Sequence, residues 1–472
     1  MVGLGLIEDW QPAPGKLVAW KATQLAVAAA AKAPVNPTPP SHQQEEYLKA
    51  AHRNRHAGFR FSGLVVITFD IRGTLDTEAM TRAINRFVQR HDTFASWFEI
   101  AADGMIARHV VESDAVELAP VDLGEQTDAD RICELVQQTT PDPFRWDCFT
   151  FGAIVRDDSS TVYAAVDHLH TDGVSQAVTI TDLLGLYGSE VSGTASGLSP
   201  VGSHFQYCER ERKYSSSLTK SSPGVRVWID LLQRNGGELP AFALPLGVAD
   251  DGYTRSMQIT VPLFSEADAV RFEQLCLDHG GRFSGGVFAV VAMAEQRLAG
   301  RDFYFGLTPV DTRTTAAEYS SMGWFASLVP VAFEVSADAG FGSLIAPAQQ
   351  ALTRGKELAD VSLHRVLELL TPTDGIPIEP GWSAPTVSYI DARKLVGIEF
   401  FDAINGGLFS NRGSSREVVL WINRFPDVTS LSMLFPDTVP ARESIDRYAA
   451  AIRSVFMEVL DHLHKGDGAD KL

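Results

Sequence analysis

The segment DHLHTDG, residues 167–173, places two histidines and two aspartates directly after an apolar run. Residues 151–156 and 161–166 are mostly apolar or β-branched and flank the turn-forming quartet DDSS, so we predict a β-hairpin that leads into this segment. After Gly173, apolar residues recur at helical spacing as far as Gly188, which we expect to close a helix. The segment is therefore predicted to form a strand-to-helix loop, where side chains point into a cleft.

This loop carries residues suited to proton transfer. His168 and Asp172 stand four positions apart, and Gly173 comes next. An imidazole with a pKa of about 6.5 takes a proton from an alcohol or amine at neutral pH. A glycine has no Cβ, so it lets a substrate approach the backbone closely. The pattern does not distinguish His168 from His170 as the base, and two loop histidines bonded to backbone carbonyl groups are an equal alternative.

The same residues also spell HxHxD, the opening of a metallo-hydrolase zinc site. In that interpretation His168, His170 and Asp172 would be metal ligands. Such sites have a histidine directly after the aspartate, where this chain has Gly173. The other histidines are not flanked by residues in a metal-ligand pattern. We therefore expect no metal and keep a zinc hydrolase only as an alternative.

Composition and charge limit the classes of function. The 472 residues are 45% hydrophobic and 21% charged, which is typical of a globular protein. A net charge of −19 repels nucleic acids and anionic membranes. The small-apolar run at residues 25–31 is too short for a membrane span and has no positive region before it, as a signal peptide would. The four cysteines form no CxxC pair, so we expect buried, reduced thiols in a cytoplasmic protein.

Two halves of mixed α/β structure are predicted, residues 1–191 and 225–472. Residues 192–224 shift to Ser and Gly around a charged run, and we interpret them as a linker. A proline-rich stretch at residues 33–41 is expected to be extended. Outside the hairpin, strands are predicted at residues 62–71, 94–100, 255–261, 302–309, 328–333, 386–390, 417–422 and 431–435, and helices at 43–52, after Asp76, and at 265–279, 284–298 and 441–464.

An ordered set of motifs resembles the superfamily of condensation domains and chloramphenicol acetyltransferase. Residues 167–173 match its HHxxxDG motif, and nearly the whole chain takes part in the resemblance. The N-terminal phrase around Trp10 and Trp20 looks most like the polyketide-associated acyltransferases, and free-standing nonribosomal peptide condensation enzymes are also similar. The other matching segments, in chain order, are the helix phrase ending at His91 and Asp92, Pro143-Phe144, Tyr207, Trp228, Leu244-Pro245, residues 309–313, Gly323-Trp324-Phe325, Ser388-Tyr389 and residues 423–435.

The resemblance implies two chloramphenicol acetyltransferase-like subdomains, each an α+β two-layer sandwich, that form a V with a tunnel between them. It implies acyl transfer from a carrier-protein or coenzyme A thioester to a hydroxyl acceptor, forming an ester in natural-product or lipid biosynthesis. His168 would be the general base, and a backbone N–H near Gly173 would stabilise the oxyanion. No cofactor is expected, since the thioester carries the activation, and the protein is expected to be a monomer. Amide formation and a non-catalytic, carrier-docking role are the alternatives.

One residue departs from the family motif. Asp167 stands where the family has its first histidine, whereas the second and catalytic one is retained as His168. Since the first histidine is more nearly structural in the family, activity is still expected. Asp172 is expected to be structural as well, and either caps the following helix or pairs with Arg313.

Two further sets of residues are candidate substrate contacts. The predicted tunnel positions are His170, Trp324 and Ser388, although an aromatic residue such as Trp324 is also typical of a core. The donor is anionic and the chain is acidic, so a basic patch should mark the tunnel entrance. The two candidate patches are Arg53, Arg55 and Arg60, and Arg210, Arg212, Lys213 and Lys220. For each patch, the alternative is an ordinary charged surface that contacts solvent and has no docking role.

Overall fold

A computed structural model describes residues 3–59, 63–101, 104–248, 254–378, 382–394 and 398–464. Arg60 of the first basic patch and Ser62, the predicted start of a strand, lie outside these ranges. Within them the strands are β1 (Gly3–Leu6), β2 (Gly15–Ala22), β3 (Val35–Asn36), β4 (Leu64–Arg72), β5 (Ser96–Ile100), β6 (Ile106–Val110), β7 (Leu118–Gln126), β8 (Phe149–Val155), β9 (Ser159–Asp167), β10 (Thr254–Ser265), β11 (Phe303–Asp311), β12 (Ala326–Glu334), β13 (Thr386–Asp391), β14 (Gly407–Ser410), β15 (Ser414–Ser415), β16 (Val419–Arg424) and β17 (Val428–Pro436).

The helices follow the same numbering rule. They are α1 (Gln24–Ala30), α2 (His42–His56), α3 (Thr77–Arg90), α4 (Ala129–Thr139), α5 (Gly173–Ser192), α6 (His204–Ser217), α7 (Pro223–Arg234), α8 (Glu266–Asp278), α9 (Phe283–Ala299), α10 (Ala316–Tyr319), α11 (Phe341–Lys356), α12 (Leu363–Leu369), α13 (Ile398–Phe401) and α14 (Val439–His464). No helix within the described ranges is long and apolar enough to cross a membrane. All four cysteines are buried and unpaired, as predicted.

The predicted hairpin is confirmed. Strands β8 and β9 pair antiparallel, with Phe149 opposite Val166 and Val155 opposite Ser160. The helix after the motif is also present, but it does not end at Gly188. It continues to Ser192 and ends at Gly193, whose φ of 71° is the left-handed conformation that favours glycine at a helix C-terminus.

The chain divides into two compact units, and each is made of several segments. The first unit contains Met1–Lys213, Arg313–Phe325 and Leu395–Gly413, and the second contains Tyr214–Thr312, Ala326–Lys394 and Ser414–Leu472. Within the predicted linker at residues 192–224, the structure has α6 and the start of α7. The helix α6 is rich in charged and small polar residues, so its composition resembles that of a loop.

The first unit is organised around a seven-stranded sheet with the strand order β1-β14-β4-β9-β8-β2-β7. Alternate residues of each strand pack on opposite faces, as the twofold period of a strand requires. In β9, Val162 and Ala164 join the core formed with α3 and α5, whereas Tyr163 and Ala165 join the core formed with α4. Because both faces are buried, β9 is apolar from Val162 to Val166, and its end carries the motif.

The second unit contains a five-stranded sheet with the order β13-β16-β17-β10-β15 and the antiparallel pair β11 and β12. Its main core gathers α8, α9, α11 and α14 around apolar residues such as Phe272, Val290 and Ile452. A smaller core joins Trp228 of α7 to Phe305 and Leu307 of β11. Each unit is thus a mixture of strands and helices in packed layers, as predicted.

Candidate active site

The motif lies at the junction between β9 and α5, as predicted. Strand β9 ends at Asp167, a single 3-10 turn covers His168–His170, and α5 begins at Gly173. The His168 N–H donates to the carbonyl oxygen of Gly63 at 2.8 Å, so the backbone of the turn is tied to the residue preceding β4. The histidine is therefore presented on a fixed turn at the carboxyl end of the central strand of a buried sheet.

His168 is half-buried and packs against an aromatic ring. Its ring centroid lies 4.2 Å from that of Trp324, with an interplanar angle of 49°. The Nδ1 atom is buried and has no hydrogen-bond partner among the described residues. Burial lowers the pKa of His168, and the opposing effects of its own backbone and of the Asp172 charge are smaller. The imidazole is therefore neutral at neutral pH, the form that a general base requires.

His170 has a different environment and is completely buried. Its Nδ1 atom lies 2.9 Å from the hydroxyl of Thr93, and its ring packs against Phe94 and Phe149. Burial, followed by the charge of Arg108, lowers the pKa of His170 to about 3. This packed position differs from the predicted tunnel position and favours His168 over His170 as the base.

Asp172 combines the two roles that were predicted as alternatives. Its Oδ1 accepts the N–H of Ser175 at 2.9 Å and so caps α5. Both carboxylate oxygens also accept from the guanidinium of Arg313, at 2.8 and 3.0 Å. In addition, the Phe325 N–H donates to Oδ2 at 2.9 Å. The carboxylate thus ties the start of α5 to the loop between α10 and β12.

Arg313 is buried and makes further contacts that fix its orientation. Its Nε donates to the carbonyl oxygen of Glu318 at 2.9 Å, and Nη2 donates to the Ser175 hydroxyl at 3.0 Å. The guanidinium carbon lies 4.2 Å from the centroid of the Phe325 ring. Because Arg313 and these backbone N–H groups already occupy both oxygens of Asp172, this carboxylate is not free to bind a metal, which argues against the zinc alternative. Across the described ranges, no cluster of His, Cys, Asp and Glu side chains is arranged to hold one.

Gly173 faces open space in the described structure. A Cβ built on Gly173 meets no described heavy atom within 4 Å, and its φ is not in the left-handed region. Neither packing nor backbone conformation therefore requires glycine here. The prediction that glycine leaves room for a substrate agrees with this open surface.

The loop Gly323-Trp324-Phe325 forms one wall of the site. Gly323 has a φ of 151°, and a Cβ there would lie 2.4 Å from the ring of His204, so glycine is required. The Ser175 hydroxyl donates to the carbonyl oxygen of Gly323 at 2.9 Å, and the Trp324 N–H donates to Nε2 of His204 at 3.2 Å. His204 was not among the predicted site residues, because no motif surrounds it in the sequence.

The remaining predicted tunnel residues differ in their surroundings. Trp324 is half-buried and touches His168, so it belongs to the site. Ser388 lies on β13 in the second unit, where its side chain is buried and its hydroxyl has no hydrogen-bond partner among the described residues. Asp167 is buried as well, and it accepts the N–H of Leu169 at 3.0 Å to cap the 3-10 turn.

In the second predicted basic patch, three of the four residues form ion pairs within the protein, and its role in donor docking stays a prediction. Arg210 donates to Glu318 at 2.8 Å, Arg212 pairs with Glu45, and Lys220 pairs with Asp374. Only Lys213, which is exposed, has no ion pair assigned in the described structure. The positive charges are neutralised within the protein by carboxylates that are distant in sequence.

Two residues of the first patch lie on α2. Arg55 is exposed and lies over the ring of Phe144, 5.8 Å from its centroid. Arg53 is half-buried, and its Nε is enclosed without a hydrogen-bond partner among the described residues. Arg55 thus remains a candidate for donor docking.

The sequence is similar to known proteins over nearly its whole length. The family model of the condensation domain matches residues 64–375. Among curated relatives, the 2'-acyl-2-O-sulfo-trehalose (hydroxy)phthioceranyltransferase PapA1 of Mycobacterium tuberculosis is 39% identical over 466 residues, which cover 97% of this chain and 89% of the relative. The trehalose-2-sulfate acyltransferase PapA2 of Mycobacterium bovis is 35% identical over 466 residues, covering 98% of each chain.

Solved structures confirm the predicted fold class. A PapA2 acyl transferase structure superposes with a TM-score of 0.90 at 33% identity and covers 97% of this chain and 100% of that one. The condensation domain of the Monacolin K polyketide synthase MokA shares the fold, with a TM-score of 0.67 at 17% identity over 90% of this chain and 98% of that one. The protein is therefore an acyltransferase that belongs to the condensation-domain family, together with the PapA acyltransferases.

Proposed function

We propose that this acyltransferase uses His168 as the general base in transferring an acyl group from a thioester to a sugar hydroxyl, forming an ester. The observation that carries the proposal is a neutral, half-buried imidazole on a turn whose neighbouring loop is held by the Asp172–Arg313 pair. With Nδ1 enclosed, we assign proton transfer to Nε2. Asp172 then acts as a positioning residue and takes no part in proton transfer.

The proposed reaction has two steps at the thioester carbonyl. Nε2 of His168 removes the proton of the acceptor hydroxyl while its oxygen attacks the carbonyl carbon and forms a tetrahedral oxyanion. The carbon–sulfur bond then breaks, and the leaving thiolate takes the proton back from Nε2. No covalent acyl-enzyme is formed. Since the thioester supplies the activation, we propose that the reaction needs no metal or organic cofactor.

Backbone donors at the start of α5 are suited to stabilise the oxyanion. The first N–H groups of a helix have no acceptor within the helix. The positive end of the helix dipole lies at the same terminus. Gly173 is the first residue of α5, and the space where its Cβ would lie is open. We therefore assign the Gly173 region to oxyanion stabilisation.

The acceptor and donor are proposed from the relatives and from the charge of the surface. The names of PapA1 and PapA2 specify sulfated trehalose, so we propose a hydroxyl group of a trehalose-type disaccharide as the acceptor. For the donor we propose a carrier-protein or coenzyme A thioester, with Arg55 contributing to its docking. The cytoplasmic location and the monomeric state stay predictions.

Mass spectrometry of the reaction products tests this function. The purified protein is incubated with long-chain acyl-coenzyme A, or with the same acyl group on a carrier protein, together with trehalose, trehalose 2-sulfate or an amine acceptor. We expect an acyl ester of one of the two disaccharides and release of the free thiol. Thioester hydrolysis without transfer, or transfer only to the amine, would contradict the proposal.

A further inference from the structure

Tyr47 of α2 contacts three residues that support His168. Its hydroxyl accepts the N–H of Gly63 at 2.7 Å and is hydrogen-bonded to the carboxylate of Asp167. Its ring meets the ring of Trp324 edge-on, with the centroids 5.6 Å apart and an interplanar angle of 78°. The Tyr47 side chain thus contacts the backbone before β4, the residue preceding His168, and the Trp324 ring that packs against His168.

The first contact acts through the backbone. Gly63 receives the His168 N–H on its carbonyl oxygen at 2.8 Å and gives its own N–H to the Tyr47 hydroxyl. A Cβ on Gly63 would lie 3.0 Å from the Tyr47 oxygen and 3.3 Å from Cβ of His168, tighter than ordinary contacts. Gly63 therefore fits closely between the two side chains, and the hydroxyl fixes the backbone to which His168 is attached.

The second contact acts through Asp167, which replaces the first histidine of the family motif. This carboxylate is completely buried, and its hydrogen bonds include those with the Leu169 N–H and the Tyr47 hydroxyl. Burial, followed by the charge of Asp167, raises the pKa of Tyr47 well above its usual value. The hydroxyl consequently keeps its proton and donates it to the carboxylate, while its lone pair accepts from Gly63.

The third contact acts through the aromatic rings. The Trp324 ring contacts the rings of both Tyr47 and His168, at centroid distances of 5.6 and 4.2 Å. Offset and edge-on aromatic contacts of this kind have preferred geometries, so displacement of one ring moves the next. The orientation of the imidazole therefore depends on Tyr47 from the ring side as well as from the backbone side.

We propose that Tyr47 is a positioning residue for His168 and that its hydrogen bond to Asp167 takes the place of the first histidine of the family motif. This inference rests on the proposed function, in which His168 is the base. Tyr47 does not handle the transferred proton. It holds the imidazole in the orientation from which Nε2 reaches the acceptor hydroxyl.

The test compares single-turnover rate constants at saturating enzyme for Tyr47→Phe, His168→Ala and a matched control. Tyr163→Phe is the control, because it deletes a buried hydroxyl on β9 that has no hydrogen-bond partner among the described residues. We expect Tyr47→Phe to lower the rate constant about 10- to 100-fold, with acceptor and donor KM within about twofold of the wild type. Tyr163→Phe should leave the rate constant unchanged. Because the folded enzyme remains in saturating excess, a partly unfolded fraction would leave the rate constant unchanged, so a merely structural role gives a different result.

Asp167→Asn tests the same hydrogen bond from its other side and covers the case in which Tyr47→Phe does not fold. It should lower the rate constant by about threefold or more, since a neutral partner makes a weaker hydrogen bond. The double variant should be no slower than Tyr47→Phe alone, because both changes remove one interaction. A wild-type rate constant for Tyr47→Phe or for Asp167→Asn, with His168→Ala inactive, would overturn this inference and leave the proposed function standing. An unimpaired His168→Ala would overturn the proposed function itself.

Discussion

Disrupting the ion pair between Asp172 and Arg313 should destabilise the protein more than its hydrogen bonds alone suggest. Arg313→Ala leaves a buried carboxylate that still accepts from the N–H groups of Ser175 and Phe325. We therefore expect a loss near the lower limit for a broken buried pair, about 3 kcal/mol. Asp172→Ala strands a guanidinium and also removes the cap of α5, which adds about 1 kcal/mol. Its expected cost is about 4 to 5 kcal/mol.

The double variant separates the pair from its surroundings. If the two residues acted independently, the losses would add to about 7 to 8 kcal/mol. Because the second substitution removes the stranded charge, we expect the double variant to lose only about 5 kcal/mol, a coupling of roughly 2 to 3 kcal/mol. Urea unfolding followed by circular dichroism gives the free energy of unfolding for all four proteins.

A second ion pair provides the control. Arg297 and Glu458 also form a two-pronged contact, at 2.8 Å for each hydrogen bond, but their side chains are 39% and 49% exposed. The same cycle on this pair should give a coupling of about 1 kcal/mol or less, because solvent screens exposed charges. Additive losses for Asp172→Ala and Arg313→Ala would refute the reasoning and reduce Asp172 to a helix cap.

Three further predictions concern activity. Because burial lowers the pKa of His168 in the free enzyme below 6.5, the base form persists on mild acidification, and the acidic limb of a profile of kcat/KM against pH should lie below pH 6.5; a limb above that value would contradict this. Gly173→Ala, which meets no described atom within 4 Å, should keep the melting temperature and lower kcat/KM by roughly tenfold or more; unchanged kinetics would show that no substrate approaches this residue. Arg55→Glu should raise the donor KM several-fold at low salt and by less at high salt, with the acceptor KM unchanged, whereas salt-independent donor kinetics would exclude Arg55 from docking.

Local structure around the motif could be predicted because its signals are close in sequence. The apolar alternation of β8 and β9, the helical spacing after Gly173 and the Asp172 cap depend on neighbouring residues. The pairing of Asp172 with Arg313, 141 positions away, was accessible only through the resemblance to a family. A single sequence contains no local signal that joins two such distant residues.

Other features depend on tertiary contacts that no local pattern records. The basic residues of α6 suggested a docking patch, but Arg210 and Arg212 are paired with Glu318 and Glu45 from other parts of the first unit. Tyr47 was part of a predicted helix, yet its hydroxyl meets Asp167, 120 positions later. The linker at residues 192–224 was inferred from composition, which does not record that Tyr207 and Cys208 of α6 pack against Phe325.

The rate of acyl transfer by His168→Ala, compared with His170→Ala, tests the central claim most directly. Both variants are assayed with one acyl thioester and the preferred acceptor, and circular dichroism verifies that each is folded. We expect His168→Ala to lower kcat by roughly a hundredfold to ten-thousandfold, the usual contribution of a general base, and His170→Ala to have a smaller effect. A folded His168→Ala variant with near wild-type turnover, or a greater loss in folded His170→Ala, would contradict the assignment of His168 as the base.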